Sequence, residues 1–168
     1  QTLKDEIRAR AEHLPGGART EWVFGYGHPG ARVMFVGDTP GADENEMGLP
    51  FVGEAGKLLS RMIHAMGLER NDVYLTYLVP YLVSDREPDA ALDACASFFA
   101  TEVQIVQPEV IVPLGELAAR RLTGRADAFP HLRGKWFDFD GVPVLPTFHP
   151  EALRQHPQAK AKVWMDLK

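Results

Sequence analysis

Four short apolar runs punctuate the chain, at residues 33–36, 73–79, 110–114 and 144–145, and each is followed by a turn rich in Gly, Pro or Asp. Runs of this length with such boundaries predict buried strands. Between them the spacing changes to that of helices. Ala55, Leu58, Leu59, Met62, Ile63 and Met66 share one face of a segment from about residue 54 to Gly67, where glycine can take the left-handed cap. Ala91, Leu92, Cys95, Phe98, Phe99, Val103 and Val106 do the same over residues 90–107, which Pro108 ends. A short helix is expected over residues 116–122. A first amphipathic helix, on Leu3, Ile7, Ala11 and Leu14, is expected over residues 3–14, and a last one from about residue 159. Residues 135–142 alternate around Asp140-Gly141, which predicts a small hairpin. Pro113 suits its run only where strand pairing ends.

Four apolar strands alternating with helices predict an α/β fold, a parallel sheet covered on both faces, formed by residues 1–168 as one domain. Three loops would then share the carboxyl edge of the sheet, at residues 37–53, 77–88 and 146–153, where open α/β sheets place ligands.

Composition narrows the chemistry. No run approaches the roughly eighteen apolar residues of a membrane helix, and the charged first residues do not read as an export signal. A membrane partner is not expected, and a cytoplasmic setting is. The single cysteine, Cys95, excludes an internal disulfide framework and a cysteine-only metal cluster. The formal charge of -5 argues against wrapping by nucleic acid but leaves room for a small, local grip on phosphates.

Within the three loops, Asp38 stands just past the first strand as a turn residue or as a carboxylate facing positive charge. Pro40 and Gly41 would shape a concavity of backbone amides fit for an anion. The turn has neither the GxxxxGK[ST] nor the GxGxxG pattern. Phe51 is either a core aromatic or a platform for a planar ligand. His149, between Phe148 and Pro150, is a structural histidine or a donor to a developing anion. His28, His64, His131 and His156 lack metal-site spacing, so no metal site is expected. Asp43, Glu44, Glu46 and Asp85 read as a solvated face before they read as magnesium ligands. Ser60 and Ser97 lack a nucleophile elbow.

Taken in order, the motifs carry a resemblance. Gly37-Asp38-Thr39-Pro40-Gly41, then Gly48-Leu49-Pro50-Phe51-Val52-Gly53-Glu54-Ala55-Gly56-Lys57-Leu58-Leu59, then Asn71-Asp72-Val73-Tyr74-Leu75-Thr76, the run from Pro108 to Gly115, and Thr147-Phe148-His149-Pro150-Glu151-Ala152-Leu153 resemble the uracil-DNA glycosylase superfamily, in particular its family 4 and the related family X. The resemblance implies a four-stranded parallel sheet in an αβα sandwich, and a monofunctional glycosylase that flips a nucleotide of single- or double-stranded DNA and hydrolyses its N-glycosidic bond with water; a monomer is expected. It implies Asp38 and His149 as catalytic residues, and Phe51, Tyr77, Thr39 and Gly41 around the base. Pro150, Leu153 and Arg154 fall at the DNA, with Leu153 in the place of an apolar wedge, or else buried at a helix start. A catalytically weak, nucleic-acid-binding relative is the alternative.

Three departures bear on that expectation. Family 4 holds an iron–sulfur cluster on four cysteines and this chain has one, so no cofactor is expected, and Tyr81, Trp22 and Phe24 are the aromatics to fill the space. Tyr77 stands where an asparagine reads uracil's edge, and one hydroxyl replaces a paired donor and acceptor. The histidine loop by which family X links to the sugar has no counterpart in residues 81–88.

Overall fold

The computed structural model describes Val23 and residues 25–28, 30–81 and 88–167. The helix expected over residues 3–14, Trp22, Phe24 and residues 82–87 of the loop expected over 77–88 lie outside these. Elements run β1 (Tyr26–Gly27), β2 (Val33–Gly37), α1 (Ala42–Met47), α2 (Gly53–Ala65), β3 (Tyr74–Tyr77), α3 (Pro88–Val106), β4 (Val110–Pro113), α4 (Glu116–Thr123), β5 (Phe137–Phe139), β6 (Val142–Val144), α5 (Pro150–Gln155) and α6 (Lys160–Asp166).

The sheet has the order β1-β3-β2-β4-β6-β5. Its middle is the expected parallel set, with β2 between β3 and β4 and β6 beyond β4. The expectation of four parallel strands is nevertheless corrected: the sheet is six-stranded and mixed, because β1 and β5 add antiparallel edges. Two residues of β1, one a glycine, are too few to show a period of two. The expected hairpin forms, with Asp140 at φ 48° and Gly141 at φ 88° in its turn. Its return arm is the fourth parallel strand itself. Pro113 closes β4, where a missing N–H costs least.

Side chains alternate across β2. Met34 and Val36 join Tyr74, Ile111 and Val144 under α3 and α4, while Phe35 joins Leu75, Val112 and Leu114 under α2, α5 and α6. Both faces are thus covered, and the strand tips are left as the open edge. Among the described residues no helix is long and apolar enough to cross a membrane.

One buried carboxyl ties α3 to β3. Glu102 is 1 % exposed and accepts from Thr76 Oγ1 at 2.7 Å and Tyr74 Oη at 2.9 Å. Burial pushes its pKa from the ordinary 4.5 up to about 7, against the pull of these two hydroxyl donors. Folding therefore retains a proton that the unfolded chain releases, and stability is lost as pH rises from 4.5 through about 7. The loss attributable to Glu102 is about 3 kcal/mol. Thermal melts at stepped pH should show wild type falling relative to Glu102→Gln across that window and running parallel to it above. Parallel curves throughout would show that Glu102 is not the titrating group.

Candidate active site

A pocket of about 430 Å³ opens at the carboxyl edge, lined from β2's turn by Asp38, Thr39, Pro40 and Gly41, from the following loop by Phe51 and Val52, and from β3 and β6 by Tyr77 and His149. The parallel pairing explains the convergence. Gly37 is level with Tyr77, Val36 with Pro113, and Leu114 bridges Thr147, so the turns after the four parallel strands leave at one height.

Phe51 is both core and pocket wall. It is 2 % exposed, stacks on Tyr77 with centroids 4.8 Å apart, and tilts toward His149 at 6.2 Å. Its backbone is left-handed, at φ 50°, a conformation uncommon for a non-glycine residue. Two side chains hold it there. Phe51 N–H donates to Tyr77 Oη at 2.9 Å, and Arg70 Nη1 donates to Phe51 O at 2.9 Å. Arg70 Nη2 also reaches Pro50 O at 3.0 Å. Glycine makes room on both sides. A Cβ on Gly56 would lie 2.1 Å from Phe51 O, and one on Gly37 would lie 2.9 Å from the Tyr77 ring. Tyr77 thus turns beneath Phe51 and spends its acceptor on the loop. Burial pushes its phenol far above the ordinary range, so it stays neutral.

His149 caps α5. Its Nδ1 accepts from Glu151 N–H at 3.0 Å, so the neutral ring carries its proton on Nε2. Burial lowers its pKa, opposed by the nearby carboxylates of Asp38, Glu151 and Glu44. At neutral pH the side chain is an uncharged N–H donor. The loop before it is pinned by Thr147, whose hydroxyl donates to Asp166 Oδ2 at 2.8 Å, and Asp166 also takes Arg133 Nη1 at 2.6 Å.

Three expectations change here. The amide concavity at Pro40-Gly41 is closed, because Thr39 N–H donates to Asp38 Oδ1 at 2.8 Å and Gly41 N–H to Glu44 Oε1 at 3.0 Å. Glu44 is therefore no mere solvated acid: its Oε2 also accepts from Val52 N–H at 3.0 Å, tying α1 to the Phe51 loop. Leu153 is 2 % exposed and belongs to the core under α5, so in this conformation it is no wedge. Pro150 is buried as the first residue of α5, which suits its fixed φ. Arg154 alone of the three expected DNA residues is exposed, and it lines the pocket.

Sequence reasoning missed Arg70, Glu44 as a clamp, and the Thr147–Asp166 pair. Glu44, three residues after Gly41 at a helix start, matched the reciprocal half of a capping box, a signal that was there to find. Arg70 and Asp166 leave no local trace.

A doubly covered α/β sheet thus brings a carboxylate and a neutral histidine into one pocket at its carboxyl edge, where such sheets hold ligands. The family is given by comparison: the Uracil DNA glycosylase superfamily matches residues 24–168, and the chain belongs to it. Type-4 uracil-DNA glycosylases are among its relatives. That of Archaeoglobus fulgidus is 34 % identical over 89 % of this chain and 80 % of its own length. That of Sulfurisphaera tokodaii is 35 % identical over 100 % and 81 %, and that of Thermotoga maritima 37 % over 80 % and 72 %.

The iron–sulfur cluster implied by the family 4 resemblance does not fit these residues. Four thiolates cannot come from one cysteine, and Cys95 Sγ instead faces Tyr81 Oη at 4.0 Å, both buried in the apolar core under α3.

Proposed function

We propose that the protein is a monofunctional DNA glycosylase, acting as a monomer, that hydrolyses the N-glycosidic bond of a flipped uracil or related deaminated base. The observation that carries this reading is the placement of Asp38 and of His149, with its proton on Nε2, in one pocket. Departure of a base leaves a cationic sugar and an anionic base. Asp38 faces the sugar and stabilises the cation, and it orients the attacking water. His149 Nε2–H donates to the base oxygen as negative charge builds there, and because the ring is neutral it gives up no ion-pair partner to do so. Phe51, fixed by Tyr77 and Arg70, walls the base, with Thr39 and Gly41 along its other edge. The dry, apolar side of this wall strengthens both electrostatic contacts.

A second reading, a weak or inactive nucleic-acid-binding relative, is favoured by Tyr77, whose hydroxyl serves the Phe51 backbone where an amide would read the base. Single-stranded and mismatched oligonucleotides bearing uracil, hypoxanthine or xanthine, incubated with the protein and then cleaved with alkali, separate the two. Strand breaks at one or more of these bases support the enzyme. Tight binding without a break at any of them supports the weak relative.

A further inference from the structure

His149 is held from two directions. On its C-terminal side, Glu151 N–H donates to its Nδ1 at 3.0 Å. On its N-terminal side it follows residues 146–148, and each of these touches one assembly, built from residues 133–134 and the end of α6. Pro146 O accepts from Gly134 N–H at 2.8 Å. Thr147 is buried and donates its hydroxyl to Asp166 Oδ2 at 2.8 Å. The Phe148 ring has the Arg133 guanidinium 5.6 Å from its centre and Phe129 edge-on at 5.3 Å. The Asp166 carboxylate is the centre of this assembly. Its Oδ1 takes Arg133 Nη1 at 2.6 Å, and the Asp166 side chain is only 4 % exposed. Gly134 leaves it room, since a Cβ there would lie 2.4 Å from Oδ1. The two oxygens of one carboxylate thus grip the two residues before His149, Thr147 directly and Phe148 through Arg133. Helix α6 is itself anchored, with Val163 buried in the core beside Phe35, Leu75 and Leu153.

We propose that Asp166 is a positioning residue for His149, holding residues 146–148 so that the Nε2–H is aimed into the pocket. Asp166 does not line the pocket, so it reaches the base only through His149. Backbone pairing alone does not set the ring. Thr147 N–H donates to Pro113 O at 3.1 Å and Thr147 O accepts from Gly115 N–H at 2.9 Å, which fixes the height at which the loop leaves the sheet. The side chains beyond that point depend on the Asp166 assembly and on the α5 cap. A shielded carboxylate with two donors makes a stiff support, because any shift of the loop leaves a buried polar group unpaired. Stiffness of this kind matters for a donor that must meet one atom, where a displacement of about 1 Å costs up to about a hundredfold in rate. What His149 donates to rests on the glycosylase reading; what holds His149 rests on the geometry.

The test reads both excision and the His149 ring, with the whole chain. Asp166→Ala should lower the saturating single-turnover rate on uracil-containing single-stranded DNA roughly tenfold, with the half-saturating protein concentration unchanged. In the His149→Ala background the same substitution should cost less than about twofold, because nothing is left to position. An equal loss in both backgrounds would overturn the proposal and leave Asp166 as a general structural support. The second readout needs no activity. In proton–nitrogen NMR of the free protein the wild-type ring carries its proton on Nε2, and Asp166→Ala should spread it over both ring nitrogens. Ring signals identical to wild type would also overturn the proposal. Where Asp166→Ala fails to fold, Thr147→Val carries the same two measurements with the carboxylate in place. Thr147→Ser, which keeps the hydroxyl, should restore both the rate and the ring signals. If wild type releases no base while the ring signals shift in Asp166→Ala, the glycosylase reading falls and the support of His149 by Asp166 stands.

Discussion

Asp38→Ala lowers the single-turnover rate of base excision by about a thousandfold, the scale on which one preorganised electrostatic partner of a transition state counts. The carboxylate is half-buried in a pocket walled by Phe51, where a charge acts over a few ångströms with little screening. Asp38→Asn keeps the shape and should lose nearly as much, because charge, not bulk, is what the sugar cation meets. Asp38→Glu, which keeps the charge and moves it by one methylene, should stay within about tenfold of wild type. His149→Ala should cost about a hundredfold, the scale of one lost donor to a developing anion. Rates are read at saturating protein in rapid-quench time courses. Equal rates for Asp38→Ala and wild type would remove Asp38 from the chemistry.

The second large effect is on specificity. Tyr77→Asn should shift the ratio of excision rates between uracil and hypoxanthine by tenfold or more in favour of uracil. Asparagine offers a donor and an acceptor to a pyrimidine imide edge, and a buried amide left unpaired by the wrong base is costly. The same substitution releases Phe51, since the Tyr77 hydroxyl holds its N–H and the ring supports its face. That damage slows excision of every base and cancels in the ratio. Tyr77→Phe isolates the other half: it keeps the stack, strands the Phe51 N–H and should cost about 1–3 kcal/mol in stability with no shift in the ratio. A ratio unchanged in Tyr77→Asn would mean that the base edge is read from another side of the pocket.

These two predictions differ in how much of their basis the sequence carried. Asp38 and His149 were legible because each follows a short apolar run and is fenced by Gly or Pro, and a parallel sheet brings such tips to one edge. The covered faces of the sheet were legible for the same reason, through Phe35 against Met34 and Val36. The direction of Tyr77 was not. It depends on a left-handed Phe51 twenty-six residues earlier and on Arg70, and no periodicity records such a clamp. Helix α1 was read as a loop because it buries no residue and so has no apolar face. Helix α5, six residues long, is shorter than two turns, and its Pro150 reads as a turn signal when it is in fact the helix start. The burial of Leu153 follows from α5, and of the two readings the sequence allowed, a wedge or a leucine buried at a helix start, it is the second. Motif resemblance placed Leu153 at the DNA; packing under α5 places it in the core.

The central claim is that one nucleotide meets Asp38 and His149 together. It is tested most directly by a single-turnover excision assay on uracil-containing single-stranded DNA, with free base and abasic site both quantified, for wild type, Asp38→Ala, His149→Ala and the double variant. The prediction is that base and abasic site appear in equal amounts with wild type and that each single variant is slower by the factors above. The double variant should be slower than either single one. Folded wild-type protein that binds the oligonucleotide but releases no base, or a rate that survives in the double variant, would contradict it.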